Sequence, residues 1–227
     1  MRKHAPIDKR GCQLLLVARF IDRVKDNDSV WSRIDDLRQA FQEQGVNLLY
    51  ISKRQEFQDT SIIASAHSID IFKQALHEII GIQIDDRTST VFPLVRMKMF
   101  DIPKNIGKEA SRYLITIKTK LSDVEKVYQT LSEFRPSADI AFTYLAFIKE
   151  PPCDTLTLSA FAKSYEHLQR FVRQELMGIP GIVSITITAI SKTKRLTSYS
   201  EMVDVLRREL GELRIDRPLL DLSDLSQ

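Results

Sequence analysis

Between Cys12 and Phe20 the chain is almost continuously apolar, the pattern of a short buried strand. Asp28 or Ser29 then offers a helix cap, and Val30, Ile34, Leu37 and Phe41 fall on one face of the helix that follows, with Gly45 at its expected end. Val46 to Ser52 and Thr60 to Ala66 are the next two strands. Ser68 caps a second helix whose inner face carries Ile69, Phe72, Leu76 and Ile80. Thr88 to Met97 is a fourth strand, with Pro93 predicting an edge position or a bulge. The order of this half is βαββαβ.

The second half repeats it. Tyr113, Ile115 and Ile117 alternate with Leu114, Thr116 and Lys118, the period of a half-buried strand. Ser122 and Glu125 have capping-box spacing, and Val124, Val127, Leu131 and Phe134 form the inner face of the helix they open. Strands are expected over Ile140 to Ile148 and Thr155 to Phe161. Ser164 caps a helix with Tyr165, Leu168, Val172 and Leu176 inward. In the last strand Val183, Ile185, Ile187 and Ala189 face one way and Ser184, Thr186, Thr188 and Ile190 the other. Asp154-Thr155 repeats Asp59-Thr60 at a distance of 95 residues, and a fixed period of this kind governs the fold expected.

The pattern predicts an α+β protein of two tandem ferredoxin-like βαββαβ modules, a pseudo-dimer of the dimeric α/β-barrel kind, plus a C-terminal helix. Residues 1–10 form a basic arm, 11–100 the first module, 101–110 a linker with Pro103, Asn105 and Gly107, 111–196 the second module, and 197–227 the helix and tail. The C-terminal helix opens on Ser198 and Glu201 and presents Val203, Leu206, Leu210 and Leu213 on one stripe. A four-stranded sheet with helices on one face leaves its other face bare. The Thr186 and Thr188 side of the last strand therefore faces either water or a second sheet, and pairing two such sheets within one chain covers both.

Composition narrows the function classes. Lys and Arg exceed Asp and Glu by only three, and the charge is interspersed outside the arm, so direct sequence-specific DNA reading and a membrane surface are not expected. Cys12 and Cys153 have no metal-ligand spacing, and with so few thiols a reducing cytoplasm is the simplest expectation. No apolar run approaches membrane-spanning length. Phosphate-binding glycine loops and paired metal motifs are missing, so no cofactor and no metal is expected. His77 and His167 lie off the apolar stripes of their helices and are expected at the surface.

Residues Cys153 to Lys194 carry a resemblance. Asp154 at the entry to a strand, the Pro180-Gly181-Ile182 turn after an amphipathic helix, and Thr186 and Thr188 on the next strand resemble the ligand-binding RAM domain of Lrp/AsnC-type regulators. Asp59 holds the corresponding place in the first half, where Gly81-Ile82-Gln83-Ile84 replaces the Pro-Gly turn. Two features depart from the family. About ten residues precede the first strand, too few for a helix-turn-helix, and the family's Gly-Asp-aromatic-Asp turn is here Pro151-Pro152-Cys153-Asp154.

The resemblance implies a non-enzymatic regulatory protein that binds an amino-acid-like effector between modules, through Asp154, Thr155, Gly181, Thr186, Thr188 and Asp59. It also implies a homo-oligomer acting on transcription through a DNA-binding partner. Two alternatives use the same architecture. One is an enzyme, either a monooxygenase or a haem-precursor decarboxylase, with His67 as its natural polar residue. The other is an interaction scaffold.

Overall fold

A computed structural model describes residues 14–21, 30–55, 59–84, 89–100, 110–136, 139–149 and 154–197. The first half runs β1 (Leu14–Ile21), α1 (Val30–Glu43), β2 (Val46–Arg54), β3 (Asp59–Ala66), α2 (Ile69–Ile80) and β4 (Ser89–Met99). The second half runs β5 (Ser111–Thr119), α3 (Val124–Glu133), β6 (Ile140–Ile148), β7 (Thr155–Ala162), α4 (Tyr165–Phe171) and β8 (Ile182–Arg195), with one π turn, Val172–Leu176, extending α4. The basic arm, Cys12, Cys153, the Asp28 and Ser29 caps, most of the linker and the C-terminal helix lie outside the described residues.

The eight strands close into an antiparallel barrel in the order β1-β3-β2-β8-β5-β7-β6-β4. Closure removes the exposed strand edges that two separate sheets would leave. It depends on two long strands that each serve both halves. β4 pairs with β1 from Ser89 to Pro93 and passes to β6 from Leu94 onward. β8 pairs with β5 as far as Ala189 and with β2 from Ile190 to Arg195. Pro93 therefore sits on no edge. It marks the hand-over between partners, next to a register shift between Leu94 and Arg96, where its missing N–H costs the ladder least.

The halves share a register. Ser68 and Ser164 cap α2 and α4 in the same way, each accepting a backbone N–H three residues on at 3.2 Å. Ala66 and Ala162 end β3 and β7 against Val46 and Ile140. By this correspondence Asp59 falls opposite Thr155, so the Asp-Thr repeat in the sequence is one residue out of structural register. Each half also carries a bulge at one place in its second strand, between Leu48 and Tyr50 and between Phe142 and Tyr144.

These bulges join the halves. The extra residue of each bulge turns its carbonyl to the end of the other half's last strand. Thr143 accepts the N–H of Phe100 at 3.0 Å, and Leu49 accepts that of Leu196 at 2.9 Å. The side chains then cross over. Phe100 enters the helix-facing core of the second half, meeting the Phe142 ring edge-on at 5.6 Å between centroids. Leu196 enters the helix-facing core of the first half. Outside the barrel Lys194 pairs with Asp35 on α1, and Arg96 pairs with Glu125 on α3 at 2.7 Å.

Three apolar clusters result. Two lie between the sheet and the helices, one per half. The third fills part of the barrel interior and draws on both halves, with Leu15, Val17, Leu49 and Ile63 from one and Leu114 and Tyr144 from the other. The inward stripes expected from the sequence hold for Val30, Ile34 and Phe41, for Phe72 and Leu76, and for Leu168, Val172 and Leu176.

Three expectations fail locally. Tyr165 is exposed, because it occupies the first turn of α4 and leans beside Tyr113. Val183 is 58% exposed, because the ladder passes from Lys118–Ser184 to Thr119–Ile182 and leaves Val183 as the extra residue of a register shift, while Ile182 takes the inward place. Asp123 caps α3 by position only, with no side-chain hydrogen bond, so the expected Ser122–Glu125 capping box does not form.

Gly181 holds φ +96°, and a Cβ there would lie 2.5 Å from Asp123 Cβ and 3.1 Å from Val127 Cγ2. Both the backbone conformation and the space demand glycine. Gly181→Ala is expected to cost at least about 2 kcal/mol from backbone strain alone, measured as a fall in the urea midpoint at unchanged m-value.

Candidate functional site

Strand alternation sorts the wall of the barrel. On β5 the residues Tyr113, Ile115 and Ile117 face the helices. Arg112, Leu114, Thr116 and Lys118 therefore face inward. On β7 the same alternation turns Thr155, Thr157, Ser159 and Phe161 inward. On β8 it turns in Ser184, Thr186, Thr188 and Ile190. The bulge on β6 brings the neighbours Thr143 and Tyr144 to the inner face together, and the bulge on β2 does the same for Leu49 and Tyr50. The interior is thus lopsided. The first-half wall supplies most of the interior aliphatics, together with Arg19, Ser61, Ser65 and Thr90, and the second-half wall carries the hydroxyls that meet Arg112.

Arg112 is the centre of the polar part. Its Nε donates to Ser159 Oγ at 3.0 Å, one terminal nitrogen to Thr193 Oγ1 at 3.4 Å, and the other to Thr143 Oγ1 at 3.3 Å. The group lies between two rings, 5.5 Å from the Tyr50 centroid and 5.6 Å from that of Phe161. Ser159 comes from β7, Thr143 from β6, Thr193 from the part of β8 that pairs with the first half, and Tyr50 from the first half itself. The site thus exists only because the barrel is closed.

Among the described residues no carboxylate pairs with Arg112. A guanidinium has five N–H donors, so two remain without a partner among those residues.

The two tyrosines are the other ionisable groups here. The Tyr50 hydroxyl is enclosed and makes no hydrogen bond of good geometry. Burial pushes its pKa above the usual 10.0, with the charge of Arg112 and the neighbouring Thr193 hydroxyl pulling the other way. Tyr144 is raised by burial first and by Tyr50 second, against the pull of Arg112 and Arg19. Both phenols stay neutral at physiological pH and can donate.

The raised values have a consequence for stability. The folded protein keeps protons that the unfolded chain gives up from about pH 10. Stability is therefore full below that pH and falls as pH rises toward the folded-state values, by up to about 1.4 kcal/mol per pH unit for each tyrosine. Tyr50→Phe and Tyr144→Phe are each expected to flatten that alkaline fall in denaturant titrations between pH 9 and 12.

The six residues assigned from the sequence fall into four groups. Thr155, Thr186 and Thr188 lie on the inner face of the second-half wall. Across the ladder Thr188 is opposite Leu114, and Thr186 is opposite Thr116. Asp154 lies at the entry to β7. Gly181 serves the fold: its turn packs against α3, and its carbonyl accepts Lys120 N–H at 3.1 Å. Asp59 is taken up by Arg54, whose Nε reaches Oδ1 at 2.6 Å and whose terminal nitrogen reaches Oδ2. It lies in the other half and does not join the threonines. His67 follows the last residue of β3 and is half-buried, outside the strands that build the inner wall. Among the described residues no three His, Cys, Asp or Glu side chains are grouped to hold a metal.

No family model and no curated protein matches the chain. Solved structures resemble it at low identity. A protein described as a monooxygenase from Lactobacillus acidophilus is 9% identical, with a TM-score of 0.46, over 82% of this chain and 97% of its own. An anthrone oxidase-like protein is 6% identical, with a TM-score of 0.46, over 83% and 95%. The encapsulated DyP-type peroxidase from Mycobacterium smegmatis is 10% identical, with a TM-score of 0.42, over 82% and 93%.

These descriptions are of enzymes, and they run against the expectation of a non-enzymatic amino-acid-responsive regulator. That expectation is corrected. Its physical basis also weakens, since Asp59 is committed to Arg54 and Gly181 to α3. Among the described residues no helix is long and apolar enough to cross a membrane.

Proposed function

We propose that the chain is an enzyme of the monooxygenase type, which holds a small enolisable or phenolic molecule in the barrel interior with its oxyanion against Arg112. The observation that carries this reading is a half-buried guanidinium with hydroxyl and ring neighbours but no counter-charge among the described residues. A cation taken from water without a partner is costly, and the guanidinium fork fits an oxyanion well. The Tyr50 hydroxyl adds a neutral donor already stripped of water. Donors fixed in advance where negative charge develops are the largest single source of catalysis in many enzymes.

The chemistry follows from that electrostatics. Arg112 lowers the cost of removing a proton next to a substrate carbonyl, because the negative charge settles on oxygen beside it. The resulting enolate carbon is electron-rich and reacts with dioxygen. A C–O bond forms, the O–O bond then breaks, and a CH2 group becomes a carbonyl. The second oxygen leaves as water, taking up two protons for the two that the CH2 loses, and the substrate supplies all the electrons. Leu15, Val17, Leu49, Ile63, Leu94 and Met97 supply an apolar wall for the carbon skeleton.

The two halves are read as copies of one ferredoxin-like module, of which the second carries Arg112 and its hydroxyl partners on β6 and β7. The likeness of residues 153–194 to the RAM domain is then a kinship of fold with a different use of the interior. The haem-precursor reading has no residue in its favour among the described residues, since His67 lies past the end of β3.

Oxygen uptake with a panel of enolisable aromatic ketones, anthrone among them, tests the proposal. Uptake accelerated over buffer, with one dioxygen consumed per CH2 oxidised, is the expected result. No acceleration across the panel contradicts it.

A further inference from the structure

Catalysis at Arg112 requires a proton to leave a site that offers no carboxylate or histidine among its described residues. The second-half wall holds a set of hydroxyls beyond those that bind Arg112. Thr186 is exposed and lies opposite Thr116, which is half-buried. Thr116 lies opposite Thr157 on its other side. One step deeper, Leu114 separates Thr188 from Ser159, and Ser159 accepts from Arg112. Exposure falls along the way, to 3% at Thr157, 1% at Thr188 and 0% at Ser159.

Thr157 Oγ1 and Thr188 Oγ1 are both enclosed without a hydrogen-bond partner among the described residues. A buried hydroxyl left unpaired costs about 1–3 kcal/mol, and where two such groups face one polar space, bound water is the usual partner.

The first half shows that the barrel does not require this. In the same register Ile63 stands where Ser159 does, Val17 where Leu114 does, and Phe92 where Thr188 does. Ile63 and Val17 belong to the interior apolar cluster, and Phe92 packs against it. The first half keeps Ser61 in the place of Thr157 and Thr90 in that of Thr186, sets Arg19 in that of Thr116, and lacks the two deepest hydroxyls.

We propose that Thr186, Thr116, Thr157 and Thr188 line a water path that carries the substrate's proton from the Arg112 site to solvent. The O–H or C–H bond of the substrate breaks at Arg112. The proton passes to the nearest water, each water along the row accepts one proton and releases another, and the last proton enters bulk buffer near Thr186. No group in the row changes its net protonation. The proposal rests on the oxyanion reading of Arg112 and adds a route and named residues to it.

The probe is 4-nitrophenol, a small phenol whose colour reports its ionisation. Three things are measured on the full chain: its affinity, its ionisation when bound, and the rate at which bound probe re-equilibrates after a pH jump. Thr157→Val and Thr188→Val keep the shape and remove the hydroxyls. The double variant is expected to slow re-equilibration at least tenfold, with affinity and bound ionisation within twofold of wild type. An unchanged rate overturns the path. So does a loss of affinity, which would make the hydroxyls binding groups.

If the wild-type protein binds the probe without favouring its phenolate, the oxyanion reading fails rather than the path. A crystal structure decides the path without the probe: ordered water on both Thr157 Oγ1 and Thr188 Oγ1 is expected, and dry hydroxyls at both overturn it.

Discussion

Arg112→Met is expected to lower the acceleration of ketone oxidation by about a hundred- to a thousandfold, the effect of removing one preorganised oxyanion donor. Global stability is expected to stay within about 1 kcal/mol of wild type, or to rise, because a thioether of similar length replaces a half-buried cation that has no counter-charge among the described residues. The two results together separate a functional role from a structural one. If Arg112 only braced Ser159, Thr143 and Thr193, its loss would lower stability and leave no selective effect on chemistry. Arg112→Lys keeps the charge but not the fork, and is expected to fall between wild type and Arg112→Met. Oxygen uptake and urea denaturation of the three proteins read both outcomes.

Phe100→Ala is expected to destabilise the protein by about 3–5 kcal/mol, and Leu196→Ala by about 2–5 kcal/mol. Each side chain is nearly enclosed in the helix-facing core of the half it does not belong to. Because the interior cluster draws on both halves, each variant is expected to unfold in a single transition at a lower midpoint, with neither half outlasting the other. Tryptophan fluorescence follows Trp31 in the first half, and hydrogen exchange in the β5 to β8 strands follows the second. A second-half transition that survives unchanged in Leu196→Ala would show that the crossing contacts do not bind the halves into one unit.

Much of the fold was legible because it rests on periodicity. The spacing of Val30, Ile34 and Phe41, the Ser68 and Ser164 caps, and the alternation of Tyr113, Ile115 and Ile117 each follow from local geometry. The barrel itself was half legible. Thr186 and Thr188 announced a strand face that had to meet water or a second sheet, and the structure gives both answers, water at Thr186 and the interior at Thr188.

Arg112 was not legible. A single arginine at the start of a strand has the look of a solvent-facing end, and nothing local tells that Thr143 and Thr193 will converge on it from 31 and 81 residues away. Tyr50 and Tyr144 were hidden for another reason. Each follows a bulge that turns two successive residues inward, and a strict period of two assigns one of each pair to the wrong face. Asp59 misled in the opposite direction, since its partner Arg54 stands only five residues away. An acidic residue with an arginine so near in sequence is a structural pair before it is a ligand.

The most direct measurement of the oxyanion claim is the equilibrium ionisation of 4-nitrophenol bound to wild type and to Arg112→Met, followed by colour across pH. Wild type is expected to bind the phenolate in preference to the phenol, so that the bound probe ionises at lower pH than the free one, and Arg112→Met is expected to remove the difference. A bound probe that ionises at the same pH in both proteins, or at higher pH in wild type, would contradict a site built to hold negative charge.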